Sequence, residues 1–142
     1  MQHVEVSQYV EAPPEAVWAR YTDHRSWTHW AGIGTVTLER QGTPAPNGVG
    51  CVRVIAAGGT RTWEEVLTFE PPHRMTYTVR KGAAPIRDHL GEVVLEPEGR
   101  GTRVTWRCRF ESRLPGLGGL FRFGISRLFA SVLRRLAAQR FA

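Results

Sequence analysis

Length, composition and charge limit what this chain can be. Its 142 residues, of which 42% are hydrophobic and 23% charged, are typical of one globular domain, expected over residues 1–142. The sequence has no run of about 18 apolar residues for a bilayer-spanning helix, and "MQHVEVSQYV" lacks the basic start and apolar core of a signal peptide. We therefore expect a cytoplasmic, bacterial protein.

The first part of the chain predicts one strand followed by two short helices. The segment "VEVSQYVEA" alternates apolar and polar residues, as a half-buried strand does. The segment "APPEAVWARYTD" places two prolines at a helix start and an acidic residue in the first turn. A second short helix fits "RSWTHWA" and ends at Gly32.

The middle of the chain predicts six further strands. In order, they are "TVTLERQ", "CVRVIAAG", "GGTRTWEEVLTFE", "HRMTYTVRKG" and the two arms of "RDHLGEVVLEPEGRGTRVTWRCRFES". In the last arm Val104, Trp106, Cys108 and Phe110 alternate with polar residues, which indicates a sheet with one buried face.

The C-terminal segment changes to a helical period. Eight of its apolar residues fall within about 160° of a helical wheel: Leu117, Phe121, Ile125, Leu128, Phe129, Val132, Leu133 and Leu136. A helix from about Gly118 to Arg140 would be roughly 34 Å long, enough to cross a seven-stranded sheet. The net charge of +6 belongs to this end, because every acidic residue lies at or before Glu111. The arginines beyond that point are Arg113, Arg122, Arg127, Arg134, Arg135 and Arg140.

This order of elements predicts an α+β fold in which a curved antiparallel seven-stranded sheet surrounds one long helix. The order resembles that of the START/Bet v 1-like (SRPBCC) superfamily, in particular its polyketide cyclase/dehydrase-like branch. The segments that carry the resemblance are "APPEAVWARYTD", "WTHW", "GVGCVRV", "EEVLTFEPPHRMTYTV", "GEVVLEPEGRGTRVTW" and the final helix. The resemblance implies a helix-grip fold with a deep, mostly apolar cavity between sheet and helix.

The resemblance implies a range of functions, because fold alone does not fix activity. Members of the superfamily bind lipids, sterols, polyketides or plant hormones, and some catalyse cyclisation or dehydration. We expect a protein that binds a hydrophobic small molecule in its cavity. The alternatives are a polyketide aromatase/cyclase or dehydrase and a protein-interaction module related to the co-chaperone members. No cofactor is expected, since "GLGGLF" does not follow a strand in a βαβ unit.

Aromatic and polar side chains are expected to share the cavity wall. Simple alternation in "RTWEEVLTF" places Glu65 with Trp63 on the inner face, although which of Glu64 and Glu65 points inward stays open. A buried carboxylate, phenol or imidazole could act as acid, base or ligand anchor, so Glu65, Tyr77 and His89 are the catalytic candidates. The expected ligand contacts are Trp30, Arg53, Trp63, Glu65, Tyr77, His89, Trp106, Phe121, Ile125, Leu128, Phe129 and Val132.

The stretch "DHRSWTHWAG" combines two histidines, two tryptophans and an acid. The histidines are five residues apart and form no metal-binding pattern, so no metal is expected. In the fold that the resemblance implies, this stretch closes one end of the cavity. We expect Trp30 to face the ligand, Trp27 to pack in the core, His24 and His29 to be exposed, and Asp23 to cap the turn.

Two further features have ordinary interpretations. Cys51 and Cys108 match no zinc spacing and lie among apolar residues, which predicts buried free thiols. The arginines of the last helix can form a solvated face or contact an anionic membrane. Nucleic-acid binding is not expected, because no aromatic platform accompanies the charge. The chain could be a monomer or a homodimer.

Overall fold

The computed structural model describes residues 1–82 and 84–141 and confirms the α+β, helix-grip-like architecture. Its elements are β1 (Gln2–Val10), α1 (Pro14–Thr22), a 3-10 turn (His24–Ser26), α2 (Trp27–Trp30), β2 (Thr35–Arg40), β3 (Val52–Ala57), β4 (Thr60–Glu70), β5 (Arg74–Lys81), β6 (Ile86–Glu98), β7 (Gly101–Ser112) and α3 (Gly118–Ala137). No helix of the described ranges is both long and apolar enough to cross a bilayer.

The seven strands form one antiparallel sheet in the order β1-β7-β6-β5-β4-β3-β2. The chain starts at one edge, crosses to the other edge through α1 and α2, and returns strand by strand until β7 pairs with β1. The two short helices therefore lie where the ends of the sheet must be connected.

Helix α3 packs against β1 and β7 on the inner side of the sheet. Its buried side chains are Phe129, Val132, Leu133 and Leu136, all in the C-terminal half. The inner face of β7 is buried as the alternation predicts, with Val104, Trp106, Cys108 and Phe110 all at most 4% exposed. The N-terminal half of α3 is less covered, which leaves room beneath it.

A bulge in β4 decides which side chains face the interior. Val66 pairs with Tyr77 and Thr68 with Thr76, so Leu67 is an extra residue in this strand. The bulge shifts the alternation, and Glu64 and Val66 lie on the inner face while Leu67 is exposed. The expectation that Glu65 faces inward is wrong, because counting back from Phe69 in steps of two ignores the extra residue.

Both cysteines are free and buried, as expected. Burial raises the pKa of the Cys51 thiol, an effect that the positive charges of Arg53 and Arg40 partly oppose. Burial, reinforced by the Glu64 carboxylate, raises the pKa of Cys108 to about 12. Neither thiol has the lowered pKa that makes a cysteine a good nucleophile.

Candidate ligand cavity

A cavity of about 550 Å³ lies between α3 and the inner face of the sheet. Its walls come from the loop after α2, from β3, β4, β5 and β6, and from α3. The lining residues are Gly32, Ile33, Gly34, Ile55, Ala57, Gly58, Thr60, Thr62, Glu64, Tyr77, Val79, Gly82, Ala84, Ile86, His89, Ile125, Leu128 and Phe129. Most of this surface is aliphatic or glycine, with a few polar groups on one wall.

The cavity has a mouth and a deep end. Along β3 the inner residues run from exposed Ala57 at the turn to Arg53, which is 0% exposed. Along β4 they run from exposed Thr60 to Val66, which is 1% exposed. Leu128 of α3, 45% exposed, lies at the lining's outer edge. The opening is therefore next to the β3–β4 turn, where Thr60 lies, and Glu64, Tyr77 and His89 lie further towards the closed end.

Small residues create the space. Glycine or alanine occupies several lining positions where a larger side chain would project into the cavity. At Gly34 the backbone has φ +109° and an added Cβ would overlap the carbonyl of Ala56, so this wall requires glycine. The neighbouring interior is filled instead by Tyr21, Trp27 and Trp106, whose rings meet at centroid distances of 5.0–5.9 Å.

An ion pair stands at the deep end of the cavity. Arg53 Nε donates to Glu64 Oε1 at 2.8 Å, and Arg53 Nη2 lies 2.8 Å from the same oxygen. The Arg53 side chain is fully buried, whereas the Glu64 side chain is 12% exposed and lines the cavity. The carboxylate is thus the member of the pair that a ligand can meet.

Two aromatic rings enclose the arginine. Its guanidinium carbon lies 4.8 Å from the Trp27 ring centroid and 4.6 Å from that of Tyr77. Burial works against the charge of Arg53, but the Glu64 carboxylate, with smaller contributions from Tyr21 and Tyr77, more than offsets it and the pKa is raised. Arg53 therefore stays a cation, with its charge balanced inside the protein.

Tyr77 and His89 form the rest of the polar wall, with ring centroids 5.5 Å apart. The Tyr77 hydroxyl accepts a hydrogen bond from Trp106 Nε1 at 2.7 Å, which fixes the ring. His89 Nδ1 accepts from the Val79 backbone N–H at 3.1 Å, so the proton of the neutral ring is on Nε2. Burial lowers the pKa of His89, an effect that Glu64 partly opposes, and the ring is neutral at pH 7.

A second polar group lies behind this wall. His24 is fully buried, its Nδ1 is 3.7 Å from Cys51 Sγ, and burial together with the Arg53 charge lowers its pKa well below 6.5. Tyr21 Oη, His24 Nε2 and Arg53 Nη1 have no hydrogen-bond partner among the described residues. Burial raises the pKa of the Tyr21 hydroxyl, which keeps that group neutral.

The structure brings five of the twelve sequence-predicted residues into the lining: Tyr77, His89, Ile125, Leu128 and Phe129. Four others are buried near the cavity without lining it: Trp30, Arg53, Trp106 and Val132. Trp106 stacks on Phe129 at 3.8 Å, and Trp30 donates its Nε1–H to Ser26 Oγ. Contact of any of these residues with a ligand stays a prediction.

The remaining three expected residues lie elsewhere. Glu65 is on the outer face, where it pairs with Arg40 and Arg80. Trp63 is also on the outer face, beneath the Lys81 ammonium at 4.2 Å, because the β4 bulge reverses the assignment of this whole segment. Phe121 is partly buried against the core but outside the lining.

Sequence reasoning missed most of the aliphatic lining and Glu64. Ile55, Val79 and Ile86 look like ordinary strand residues, and only their position under the less covered half of α3 makes them cavity walls. Glu64 could have been identified from its partner, since Arg53 shares the buried strand face with Ile55 and requires a counter-charge.

Residues 23–32 lie at one end of the cavity, and the structure corrects part of what the sequence predicts for them. Trp27 is core as expected, at 1% exposed, and His29 is exposed. The expectation that His24 is exposed is wrong, since it is fully buried beside Cys51. Asp23 makes no side-chain cap; its backbone carbonyl instead accepts from Ser26 Oγ at 2.7 Å.

Comparison with known proteins identifies the family. The family profile described as "Polyketide cyclase / dehydrase and lipid transport" matches residues 1–140. The chain belongs to that family. Its members are SRPBCC proteins, so the resemblance noted in the sequence is confirmed, and the description covers processes that all handle hydrophobic small molecules. Comparison with curated proteins found no match.

Solved structures of bacterial proteins share the fold of this polyketide cyclase family member. A Thermobifida fusca protein has 26% identity and a TM-score of 0.82, covering 96% of this chain and 91% of its own. The protein XoxI from Bacillus cereus has 18% identity and a TM-score of 0.80, covering 96% and 94%. A START superfamily protein from Mycobacterium smegmatis has 13% identity and a TM-score of 0.79, covering 95% and 94%.

Proposed function

We propose that this protein binds a hydrophobic small molecule, of the lipid or polyketide type, in the cavity between the sheet and α3. The observation that carries the proposal is a space of about 550 Å³ with aliphatic walls and a polar wall at its closed end. Its size lies within the roughly 300–1,000 Å³ typical of small-molecule sites. The family description, with its polyketide and lipid chemistry, supports the same class of ligand.

The aliphatic walls supply the affinity in this proposal, and the polar wall supplies orientation. Transfer of apolar ligand surface from water gains about 2.5 kcal/mol per 100 Å². Ile55 and Ile86 of the sheet and Ile125 of α3 are lining residues that provide such surface. A ligand therefore enters with its apolar body between sheet and helix.

Binding can be tested with a neutral apolar fluorophore, N-phenyl-1-naphthylamine, whose emission rises on transfer from water to an apolar site. We expect saturable binding, and we expect native mass spectrometry of the purified protein to show a co-purified lipid-like mass. The proposal fails if the fluorophore does not bind and the protein also refuses long-chain alcohols, fatty acids, sterols and aromatic polyketides.

Two neighbouring positions on β3 provide a matched pair of variants. Ile55 lines the cavity, whereas Val54 faces outward and pairs with Trp63 across the sheet. Ile55→Trp should fill the cavity and weaken fluorophore binding by at least about tenfold, and Val54→Trp should leave binding unchanged. Urea unfolding of both variants controls for loss of fold. Equal binding by the two variants would place the ligand outside the cavity.

The polar wall favours a second candidate function, the polyketide cyclase or dehydrase. His89, which is neutral and whose Nε2 proton has no partner among the described residues, shares the cavity wall with the Glu64 carboxylate. In an aldol closure a base removes a carbon-bound proton, the carbanion attacks a second carbonyl carbon, and an acid protonates the carbonyl oxygen; loss of water follows. Incubation with a poly-β-ketone thioester should then change the product spectrum, and His89→Asn should abolish that change.

The outward face of α3 supports contact with an anionic membrane during ligand exchange. Leu120 and Phe123 are 64% and 60% exposed, and Arg127 lies over the Phe123 ring at 5.8 Å. Exposed Arg122 and Arg134 add charge to the same segment. Apolar side chains surrounded by arginine suit the interface of anionic lipid headgroups.

Liposome sedimentation tests this contact. Vesicles rich in phosphatidylserine should retain the protein at low salt and release it at high salt, because screening weakens electrostatic attraction. Phe123→Ser should reduce retention, and the exposed Leu67 of β4, replaced by Ser, provides the control. Retention that is the same on neutral phosphatidylcholine vesicles would contradict the proposed role of the arginines.

A further inference from the structure

The two oxygens of the Glu64 carboxylate have different surroundings. Oε1 accepts the hydrogen bond from Arg53, and Oε2 accepts none from the described residues. Glu64 lines the cavity and keeps 12% of its side chain exposed. At the deep end of the cavity, Oε1 is therefore occupied by Arg53, and Oε2 remains available to accept a hydrogen bond from a ligand.

The positive charge of the pair cannot reach a ligand directly. Arg53 is 0% exposed, is absent from the lining and is enclosed between the Trp27 and Tyr77 rings. It neutralises Glu64 from behind. The ion pair thus has no net charge but turns its negative end towards the cavity.

A hydrogen-bond donor accompanies this acceptor. His89 lines the same cavity, and the bond that its Nδ1 accepts from the Val79 N–H leaves the proton on Nε2. The described residues provide no partner for Nε2. The Tyr77 hydroxyl accepts from Trp106 Nε1 and keeps its own proton, so it is a neutral donor and adds no charge to the wall. The wall therefore presents the Glu64 Oε2 acceptor together with neutral donors and no cation.

We propose that the ligand carries a neutral hydroxyl group, alcoholic, phenolic or enolic, which donates to Glu64 Oε2 and accepts from His89 Nε2–H. This inference rests on the proposed function, because it names the chemical class of the ligand in the same cavity. A hydroxyl satisfies both groups with one oxygen, and its apolar body then lies along the aliphatic walls.

The same geometry disfavours charged head groups. A carboxylate would lose its hydration in an apolar cavity and would face the negative end of the Arg53–Glu64 pair. An ammonium group would be attracted to Glu64, but the pair is already neutral, so the added cation would leave a net buried charge. The proposal therefore predicts that the cavity binds a ligand with a hydroxyl group more tightly than a matching carboxylate or ammonium ligand.

The test uses three ligands with one chain length, decan-1-ol, decanoate and decylamine, in competition with N-phenyl-1-naphthylamine at pH 8. We expect the alcohol to displace the fluorophore at a concentration at least about tenfold lower than the carboxylate or the amine. The wild-type protein alone decides this comparison, so it does not depend on the folding of a variant.

Variants of two adjacent glutamates locate the cause. In Glu64→Gln, the decanoate concentration that displaces the fluorophore should come within about threefold of the decan-1-ol concentration, because the carboxylate that repels decanoate is gone. Glu65→Gln is the matched control, since Glu65 lies on the outer face with Arg40 and Arg80, and the full preference should remain. If Glu64→Gln does not fold, the double variant Arg53→Met, Glu64→Gln removes both buried charges and should give the same narrowed ratio.

The outcomes separate this inference from the proposed function. Failure of the fluorophore and of all three decyl ligands to bind would overturn both. Fluorophore binding with decanoate or decylamine at least as effective as the alcohol would overturn the hydroxyl proposal alone. So would an unchanged preference in both the Glu64 single variant and the double variant.

Discussion

The interior of this protein has two ends built from the same sheet and the same helix but filled differently. At the closed end, rings and one arginine occupy the space: Trp106 stacks on Phe129 at 3.8 Å, and Trp27 and Tyr77 enclose Arg53. At the open end, glycines, alanines and isoleucines line a cavity of about 550 Å³. The contrast shows that side-chain volume, rather than backbone path, determines where this fold is solid and where it can hold a ligand.

The largest expected effect comes from removing a ring at the closed end. Trp106 is 3% exposed and its indole also donates to Tyr77. Trp106→Ala should lower the free energy of unfolding by about 3–5 kcal/mol, measured by urea denaturation, because it creates a cavity in a packed region. A loss well below 1 kcal/mol would mean that the closed end is as loosely packed as the open one.

The next effect separates a buried ion pair from an exposed one. Arg53 and Arg40 pair with adjacent glutamates of β4, Glu64 and Glu65, at 2.8 and 3.2 Å. Arg53→Met should cost about 3 kcal/mol or more because it leaves an uncompensated carboxylate at the deep end. Arg40→Met should cost less than about 1 kcal/mol because that arginine is exposed. Chemical denaturation of both variants measures the difference, and equal costs would contradict the inner placement of Arg53.

The buried histidine of the closed end predicts the pH dependence of stability. The pKa of His24 is far below 6.5 in the folded protein, so the unfolded chain binds a proton near pH 6.5 while the folded protein does not. Stability should therefore fall as pH decreases below about 6.5, by up to about 1.4 kcal/mol per pH unit from this residue. His89, whose pKa is also lowered, changes stability in the same direction.

Unfolding measured from pH 7 to pH 5 provides this slope, and two variants assign it. His24→Asn should flatten the slope, whereas His29→Asn, at an exposed position outside the cluster, is the control. A slope that His24→Asn does not change would show that His24 takes up its proton in the folded protein as readily as in the unfolded chain.

The smallest effect is expected at the mouth of the cavity. Leu128 is 45% exposed, so Leu128→Ala should change stability by less than about 1 kcal/mol. The same truncation at Leu133, which is fully buried five residues later in α3, should cost about 2–5 kcal/mol. Leu128→Ala should also speed release of the fluorophore in stopped-flow measurements, because it widens the opening. Slower release would mean that the mouth lies elsewhere.

The fold was predictable from the sequence because its signals are periodic and cover the whole chain. Alternation in β7 and the helical period of α3 both predict which face is buried, and the structure agrees along β7 and in the C-terminal half of α3, although Leu128 of the predicted stripe is exposed. The cavity was less predictable, since a cavity is the absence of side chains and leaves no pattern of its own. Trp30 and Trp106 were predicted as ligand contacts because they are large aromatic residues. Large residues fill interior space, however, and the lining consists mainly of small and aliphatic residues.

The alternation pattern of the sequence could not predict which of Glu64 and Glu65 faces the cavity, for a separate reason. Alternation predicts the inward-facing residues only while the two paired strands keep one register. Here Leu67 is an extra residue in β4 and shifts that register. The prediction that His24 is exposed was wrong. Its sequence neighbours, Asp23 and Arg25, are charged residues of the kind that usually lie on the surface, and they give no sign of its burial. Its burial follows from tertiary contact with Cys51, which lies 27 residues away.

The extra residue at Leu67 has a consequence for how the cavity chemistry of such a protein can change. Since the bulge sets the phase of everything before it in β4, deletion of one residue there would exchange the sides of Glu64 and Glu65 and of their neighbours Trp63 and Thr62. Such a deletion would replace the β4 part of the polar wall in one step, while Tyr77 of β5 and His89 of β6 keep their places. An insertion or deletion at this bulge would therefore change several lining positions at once, whereas a point substitution changes one.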